Sequence, residues 1–343
     1  MIPASRSEAV LQPARSSDVD EHARRLVGWR QDYSQLSPGR FDGTVLQASL
    51  GSVALLQERT NQRLRERFVV PAGELVVAVP IELSGPAHWG DARLDADAIA
   101  VCRGGEPTDL LTPNVFGIVG FAIPATGPAV DALEPGVPRV LRDRGCADAM
   151  RALFAQGLAA ARRGSARDGR VEVGHGQDHG DGDGDPVRAR FAGLLADEVG
   201  GVAARIASGG EGTVEVPALA RRLSLVRRAE AFVEAHGDAH DPAAPTVAEL
   251  CRATGACRRT LQASFVDVLG IGPSRYLRAL RLNRVRADLK RDAASVSEVA
   301  VRWGFWHLGR FSADYRAMFG ELPSETRARA RGPGPQSRAA DFG

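Results

Sequence analysis

Residues Arg258, Arg259 and Gln262 stand close together in the stretch CRRTLQASF, and their side chains suit the recognition of base edges. Arginine donates two hydrogen bonds to O6 and N7 of guanine, and glutamine pairs with N6 and N7 of adenine. A short helix that fits the major groove brings such side chains within reach of the bases. A second group occupies the corresponding place further along the chain: His307, Leu308 and Arg310.

The elements that must position both groups belong to an internal repeat. The segment TVAELCRATG (246–255) aligns with SVSEVAVRWG (295–304) at an offset of 49 residues. The segment LQASFVDVLGIGPS (261–274) aligns with FSADYRAMFGELPS (311–324) at an offset of 50 residues. The chain therefore contains the same pattern twice.

Each copy begins with Thr or Ser followed three residues later by Glu, which predicts a capping box at the start of a short helix. Gly255 and Gly304 then predict a left-handed turn at the end of that helix, because glycine adopts this conformation at the least cost. A second helix follows in each copy. The pattern predicts two helix-turn-helix motifs, at about 246–270 and about 295–320.

Apolar residues recur at every fourth position of the second helix in each copy, and this spacing predicts that they form the core. We therefore expect the functional face to be the opposite one, which carries the residues named at the outset. Residues 273–289 mix apolar residues with arginines and predict a helix that joins the copies; its arginines are interpreted as a solvated face with phosphate contacts at most. The predicted core residues are Leu261, Phe265, Leu269, Phe305, Phe311, Tyr315 and Phe319.

The charge is unevenly distributed along the chain. Residues 216–331 contain 20 Lys and Arg against 12 Asp and Glu, a net charge of +8. Residues 1–215 contain 23 against 29, a net charge of −6. This asymmetry predicts a polyanionic partner for the C-terminal half alone.

Residues 217–330 resemble the AraC/XylS-type DNA-binding domain. The resemblance rests on both glycine turns, on ALRLNRVRADL in the joining helix and on the closing GFWHLGRFSADYRAMFGELPSE. It implies two recognition helices in successive major grooves of double-stranded promoter DNA, and a transcription regulator, more often an activator, that works with RNA polymerase as a homodimer. The positions that it assigns to base reading are Arg259, Gln262, Ala263, His307, Leu308, Gly309 and Ala313.

Residues 1–145 contain several short apolar segments separated by turn residues, a pattern typical of a β-sandwich or barrel. The family resemblance implies a cupin-like β-barrel that binds a small-molecule effector of unknown identity, and helices at 146–216 that dimerise. We therefore expect an α+β fold with two domains. The predicted helical face at 146–216 could equally pack on its own barrel; it comprises Met150, Leu153, Phe154, Gly157, Leu158, Ala161, Phe191, Leu194, Leu195, Val199, Val202 and Ile206.

No metal site or cofactor is expected. Residues 164–186 are rich in Gly, Asp and His, and we predict a disordered insertion there and a disordered tail at 331–343. The Asp-rich part fails as a calcium loop because Pro186 replaces the required glycine and Ala192 the closing glutamate. His88 is interpreted as a surface or turn histidine.

No catalytic residue is expected either, because the chain lacks HExxH, GxSxG and Walker motifs. The four cysteines form no CxxC pair and are expected to be reduced and mostly buried. The N-terminal sequence lacks the apolar core of a signal peptide, so we expect a cytoplasmic protein with no membrane partner. Two alternatives stay open: a DNA-binding protein without an effector, and an enzymatic cupin tethered to DNA.

Overall fold

The structure is a computed structural model, and its chain divides into two units. The first comprises residues 1–33 and 41–215, and the second comprises residues 34–40 and 216–343. Much of the Gly-, Asp- and His-rich segment and the predicted tail lie outside the described residues, although residues 164–168 and Pro186 are helical. The described residues are 13–168, 186–209, 217–236, 245–291 and 294–331.

The first unit begins with a run of strands that forms two sheets. The larger sheet has the strand order β1-β3-β4-β11-β6-β9-β12, and the smaller has the order β2-β5-β10-β7-β8. The elements are β1 (Ala14–Ser16), α1 (Val19–Ala23), β2 (Arg30–Gln35), β3 (Gly43–Leu50), β4 (Val53–Thr60), β5 (Leu64–Val69), β6 (Glu74–Leu83), β7 (Ala87–Trp89), β8 (Ala92–Leu94), β9 (Ala98–Arg103), β10 (Pro107–Leu111), β11 (Phe116–Pro124), α2 (Pro128–Asp131) and β12 (Arg139–Arg142).

Strand β6 shows why the larger sheet is so apolar. Val76 and Ala78 pack against side chains of the smaller sheet, and Leu75, Val77 and Val79 pack against helices on the opposite face. Because side chains alternate between the faces of a strand, a sheet that is covered on both sides needs apolar residues at nearly every position. The unit therefore has three layers: the smaller sheet, the larger sheet and the helices.

The predicted β-rich N-terminal region is confirmed, but a cupin-like barrel is not. The strands lie in two separate sheets, and neither sheet closes on itself. Six of the strands were not predicted: β1, β2, β7, β8, β10 and β12. They are short or polar, as in the sequence RQDYSQ of β2, and such strands give a weak apolar pattern.

Two long helices cover the outer face of the larger sheet, α3 (Arg144–Asp168) and α4 (Pro186–Ala207). Phe154 of α3 packs edge-on against Phe121, with ring centroids 6.0 Å apart. The apolar face predicted for α3 therefore packs on its own sheet. In α4 the prediction was wrong for Leu194, which is 57% exposed, because the residue next to the buried Leu195 points about 100° away around the helix.

His88 is also a correction, because it is buried rather than at the surface. It lies in β7 between Ala87 and Trp89, and all three residues are buried. Strand β7 lies inside the smaller sheet between β10 and β8, and both of its faces are covered, which the isolated sequence GPAHWGD does not reveal. The cysteines differ from expectation as well, since only Cys102 is buried, Cys146 and Cys251 are half-buried and Cys257 is exposed.

The second unit is helical and contains both copies of the repeat. Thr246 and Ser295 form the predicted capping boxes, and the predicted joining helix is present as α8. Pro273 and Pro323 each begin a helix after their copy, as the sequence predicts. The helices are α5 (Pro217–Ala235), α6 (Val247–Thr254), α7 (Arg258–Leu269), α8 (Pro273–Arg291), α9 (Val296–Arg302), α10 (Leu308–Phe319) and α11 (Pro323–Arg331).

Residues 34–40 also belong to the second unit. The Gln35 side-chain amide donates to the carbonyl oxygens of Gly39 and Met318, both at 2.7 Å. The Asn283 side chain in α8 donates to the Gln35 carbonyl at 2.8 Å. These hydrogen bonds fix the segment beside α8 and α10. Within the described residues, none of the helices combines the length and the hydropathy needed to cross a membrane.

Candidate nucleic-acid interface

The turn of the first copy fixes the direction of α7. The Thr246 amide donates to Glu249 Oε2 at 2.7 Å, and the Glu249 amide donates to Thr246 Oγ1 at 3.3 Å. Gly255 ends α6 in the left-handed conformation with φ +67°. Both ends of the eight-residue helix α6 are thus defined by local hydrogen bonds, and α7 follows after only Ala256 and Cys257.

The turn of the second copy is built in the same way but is longer. The Ser295 amide donates to Glu298 Oε2 at 2.6 Å, which completes the second capping box. Helix α9 ends at Arg302, Trp303 is its C-cap, and Gly304 follows with φ +76°. Trp303 Nε1 donates to Asp288 Oδ2 at 2.8 Å, which ties the end of α9 to α8.

The predicted core faces of α7 and α10 are confirmed. Phe265 packs edge-on against Tyr276 with ring centroids 5.4 Å apart. In α10, Tyr315 packs against Phe311 and Phe319 with ring centroids 5.8 and 4.7 Å away. Because the aromatic rings occupy the inner face, the opposite faces of both helices are left to solvent.

The outer face of α7 carries the side chains predicted to read bases. Arg258, Arg259, Gln262 and Ala263 are all exposed. The Gln262 amide lies over Gly272, where an added Cβ would come 2.6 Å from its Nε2 atom. A larger residue at that position would displace only the flexible end of Gln262, so the side chain can rotate outward.

The outer face of α10 is less polar. Leu308 is 43% exposed at the first helical position, and Gly309 has open space where a Cβ would stand. Two further exposed side chains were not predicted: Trp306, which is 67% exposed, and Arg316, which lies seven residues beyond Gly309 on the same helical face. The remaining predicted residues, His307, Arg310 and Ala313, are exposed as well.

The residue before each second helix has an extended backbone but gives no side-chain cap. In the first copy this residue is Cys257, whose Sγ lies 3.2 Å from Thr260 Oγ1. Hydrogen bonding to the side chain and backbone of Thr260 lowers the pKa of this exposed thiol. Cysteine therefore occupies a position where Ser, Thr, Asp or Asn would accept from the helix amides more strongly.

The arginines of α8 are a correction to the interpretation of a solvated face. The guanidinium carbons of Arg278 and Arg281 lie 5.9 and 5.4 Å from the ring centroid of Phe305, and that of Arg284 lies 5.3 Å from Trp303. Burial lowers the pKa of Arg281, and the charge of Arg278 adds to this effect. Much of the positive charge of α8 is thus used to pack the second copy, in contacts between residues distant in sequence.

The comparisons with known proteins agree with this arrangement. Residues 250–329 match the family described as a helix-turn-helix domain. The chain is 45% identical over 104 residues to the probable thc operon regulatory protein of Rhodococcus erythropolis, which covers 29% of this chain and 30% of that relative. It is 44% identical over 71 residues to the XylDLEGF operon transcriptional activator of Pseudomonas putida, over 20% of this chain and 22% of that relative.

A solved structure is similar to the same region. The crystal structure of a probable AraC family transcriptional regulator from Rhodopseudomonas palustris CGA009 is 34% identical, covers 32% of this chain and 99% of that chain, and has a TM-score of 0.29. Residues 250–329 form a helix-turn-helix domain of the AraC/XylS type. The AraC-type domain thus supplies the two exposed helical faces, while the matches span less than a third of the length of the curated relatives.

The first unit contains a cavity between its two sheets, with a free volume of about 60 Å³. Aromatic and aliphatic side chains form most of its wall. The cavity is smaller than the clefts of about 300–1,000 Å³ that hold drug-sized ligands, so only a small ligand suits it.

Proposed function

We propose that this protein is a sequence-specific transcription regulator that inserts α7 and α10 into two successive major grooves of promoter DNA. The observation that carries the proposal is the pair of matching helices whose outer faces are exposed and whose inner faces are fixed by aromatic packing. The net charge of +8 over residues 216–331 favours a polyanion at this surface. The activator named among the relatives makes activation, with RNA polymerase as a partner, the preferred mode.

In this proposal, residues of both helices contact bases and phosphates. Arg259 and Gln262 donate to base edges, and Arg258 and Arg310 neutralise phosphates at the margins. Leu308, with Ala263 and Ala313, offers apolar contact to thymine methyl groups. Gly309 permits close approach of the helix, and His307 stands at its start.

The first unit supplies control in this proposal. A small molecule in the cavity between the sheets changes the affinity of the second unit for DNA. Such an effect requires that the ligand bind one state of the protein more tightly than another. We further propose a homodimer as the form that binds DNA, by the same family likeness. The relatives named above are regulators, which is consistent with a role other than catalysis.

Fluorescence anisotropy with labelled DNA tests this function. The purified full chain is titrated onto the DNA upstream of its own gene and onto a scrambled duplex of the same composition, over a series of salt concentrations. We expect a preference of about a thousandfold or more and a steep decrease in affinity with salt. Equal affinity for both duplexes at every salt concentration, with and without cell-extract metabolites, would contradict sequence-specific recognition.

A further inference from the structure

The wall of the cavity between the sheets is largely apolar but includes two acidic residues. Glu58 of β4 comes from the larger sheet and Glu66 of β5 from the smaller sheet, and both line the cavity. Both are buried, Glu58 at 6% and Glu66 at 1% exposure. Carboxylates buried this deeply are costly unless they have partners.

Glu58 has such partners. Its Oε1 lies 2.8 Å from Nε2 of His22, and the Tyr33 hydroxyl donates to its Oε2 at 3.5 Å. His22 is itself buried and packs edge-on against Phe41, with ring centroids 5.1 Å apart. The position of Glu58 is therefore fixed by the protein.

Glu66 differs from Glu58 in this respect. Among the described residues, no donor reaches either of its carboxylate oxygens with the geometry of a full hydrogen bond, although the Tyr33 hydroxyl, which donates to Glu58, also interacts with it. Burial raises the pKa of Glu66, the charge of Glu58 raises it further, and the nearby Tyr33 hydroxyl offsets only part of the rise. A buried acceptor without a donor at the wall of a cavity indicates that the donor comes from a ligand.

The rest of the wall restricts the chemistry of that ligand. Among the described residues that line the cavity, none is Arg, Lys or His. A carboxylate or phosphate ligand would therefore meet two glutamates and no compensating positive charge. Gln31 also lines the cavity, and its Oε1 atom is a second buried acceptor without a partner in the described structure. The site therefore favours a ligand that donates hydrogen bonds.

A row of aromatic rings forms another part of the cavity wall. The Trp29 and Phe68 ring centroids lie 5.6 Å apart, and those of Phe68 and Trp89 lie 5.7 Å apart. The Trp89 indole nitrogen is already engaged, donating to Thr108 Oγ1 at 3.0 Å, so that ring presents only apolar surface. Aromatic rings beside carboxylates are a common arrangement for binding organic cations.

We propose, building on the function above, that the effector is a small organic cation, a primary amine with an apolar body. Its ammonium group donates to Glu66 and is balanced by Glu66 and Glu58 together. Its apolar body lies among Trp29, Phe68 and Trp89. The bound cation supplies the donor that the described residues do not give to Glu66.

Isothermal titration calorimetry on the full chain tests this assignment with matched probes. Benzylammonium is compared with benzyl alcohol and benzoate, and butylammonium with butanol and butyrate, which keep the shape and change the charge. We expect at least one of the two cations to bind saturably and its anionic analogue not to bind. In Glu66→Gln the affinity for that cation should decrease by about tenfold or more, since a charged hydrogen bond is lost.

Two variants control for indirect effects. Glu106→Gln removes the same charge from an exposed position of the first unit and should leave cation affinity unchanged. Glu66→Asp keeps the charge and should retain the order of cation over alcohol over carboxylate. If Glu66→Gln fails to fold by circular dichroism, the order of affinities in the unsubstituted protein and in Glu66→Asp still decides the matter.

The assignment is overturned if neither cation binds saturably, if the alcohols bind as tightly as the cations, or if the carboxylates bind more tightly. It is also overturned if a folded Glu66→Gln variant binds the cation with unchanged affinity. The anisotropy assay on the same preparation distinguishes a failure of the effector assignment from a failure of the proposed DNA-binding function. Sequence-specific DNA binding without a cation preference removes only the effector assignment, whereas equal binding to both duplexes removes the proposed function.

Discussion

The two helix-turn-helix copies share their internal construction and differ in their outer surface. In both, a capping box opens the first helix and a left-handed glycine follows it, and the second helix has twelve residues. Outside, α7 presents Arg258, Arg259 and Gln262, whereas α10 presents Leu308 and Gly309 at its start, next to the exposed Trp306. The same fold therefore begins its second helix with hydrogen-bonding side chains in one copy and with apolar residues in the other.

If α7 and α10 bind DNA as proposed, this difference means that the two copies read it by different means. Hydrogen-bonding side chains discriminate all four base pairs in the major groove, whereas apolar side chains mainly detect the thymine methyl group. The copies also differ in how they are supported. Beside the first copy, the Tyr276 hydroxyl donates a hydrogen bond to the buried Glu230 at 3.0 Å. In the second copy, the Glu321 carboxylate accepts hydrogen bonds from Arg286 at 3.3 Å and from Thr326 at 2.6 Å.

The largest expected effect is on the stability of the second copy. Arg286 is 3% exposed and Glu321 is its ion-pair partner. Glu321→Ala leaves that buried charge with less compensation and should lower the free energy of unfolding by about 3 to 5 kcal/mol. Glu230→Ala removes a hydrogen-bond acceptor in the first copy and should cost about 1 to 3 kcal/mol. Urea unfolding of the full chain, monitored by circular dichroism, gives both values.

The comparison would fail if the two substitutions had equal effects. The repeat itself supplies a reason to expect otherwise, because Ile271 stands in the first copy where Glu321 stands in the second. The ion pair is thus specific to the second copy. A Glu321→Ile variant, which imitates the first copy, should be as unstable as Glu321→Ala unless Arg286 is replaced as well.

The next effect concerns base recognition by α7. Arg259→Ala should cost about 1 to 3 kcal/mol on the specific site and relax the preference at one base position. Arg310→Ala in α10 should weaken specific and scrambled DNA alike and reduce the salt slope, because we assign it to a phosphate. Anisotropy titrations of single-base variants of the site measure both, with Arg93→Ala in the first unit as a control.

A smaller effect distinguishes α10 from α7. Leu308→Ala should weaken specific binding by about 1 kcal/mol through lost apolar contact with a thymine methyl group. Replacing thymine by deoxyuridine within the half-site of α10 should have a similar effect and should add nothing to the variant. The same base replacement should not alter the penalty of Arg259→Ala. If Leu308→Ala and the base replacement are additive, the methyl contact is made by another residue.

Both copies could be predicted from the sequence because their signals are local. A capping box and a left-handed glycine act within a few residues, and a helical stripe such as Leu261 and Phe265 repeats at a fixed spacing. The packing of Arg281 on Phe305 could not be predicted in this way, because it joins α8 to the turn between α9 and α10 through a contact that no spacing encodes. The exposure of Trp306 was not predicted for a related reason. Whether an aromatic residue in a turn is buried or exposed depends on how the turn is oriented relative to the core, which the sequence does not show.

The first unit was less predictable because its contacts are non-local. Strand β10 begins with Pro107 and β2 is mostly polar, so neither gives a clear apolar pattern. Glu58 and Glu66 are only eight residues apart, yet they meet across the cavity because they belong to different sheets. Nothing in the sequence QERTNQRLRE indicates that two of its charged residues are buried.

The smallest expected effect lies at the start of α7, where both copies leave a helix end uncapped. Serine at position 257 has an oxygen that accepts from the Thr260 amide, so Cys257→Ser should raise the melting temperature of the second unit by a few degrees. The equivalent change His307→Ser should stabilise α10 in the same way but also remove a proposed DNA contact. Scanning calorimetry and anisotropy on both variants separate the two effects. A loss of DNA affinity in Cys257→Ser would mean that the cysteine, too, contacts the DNA.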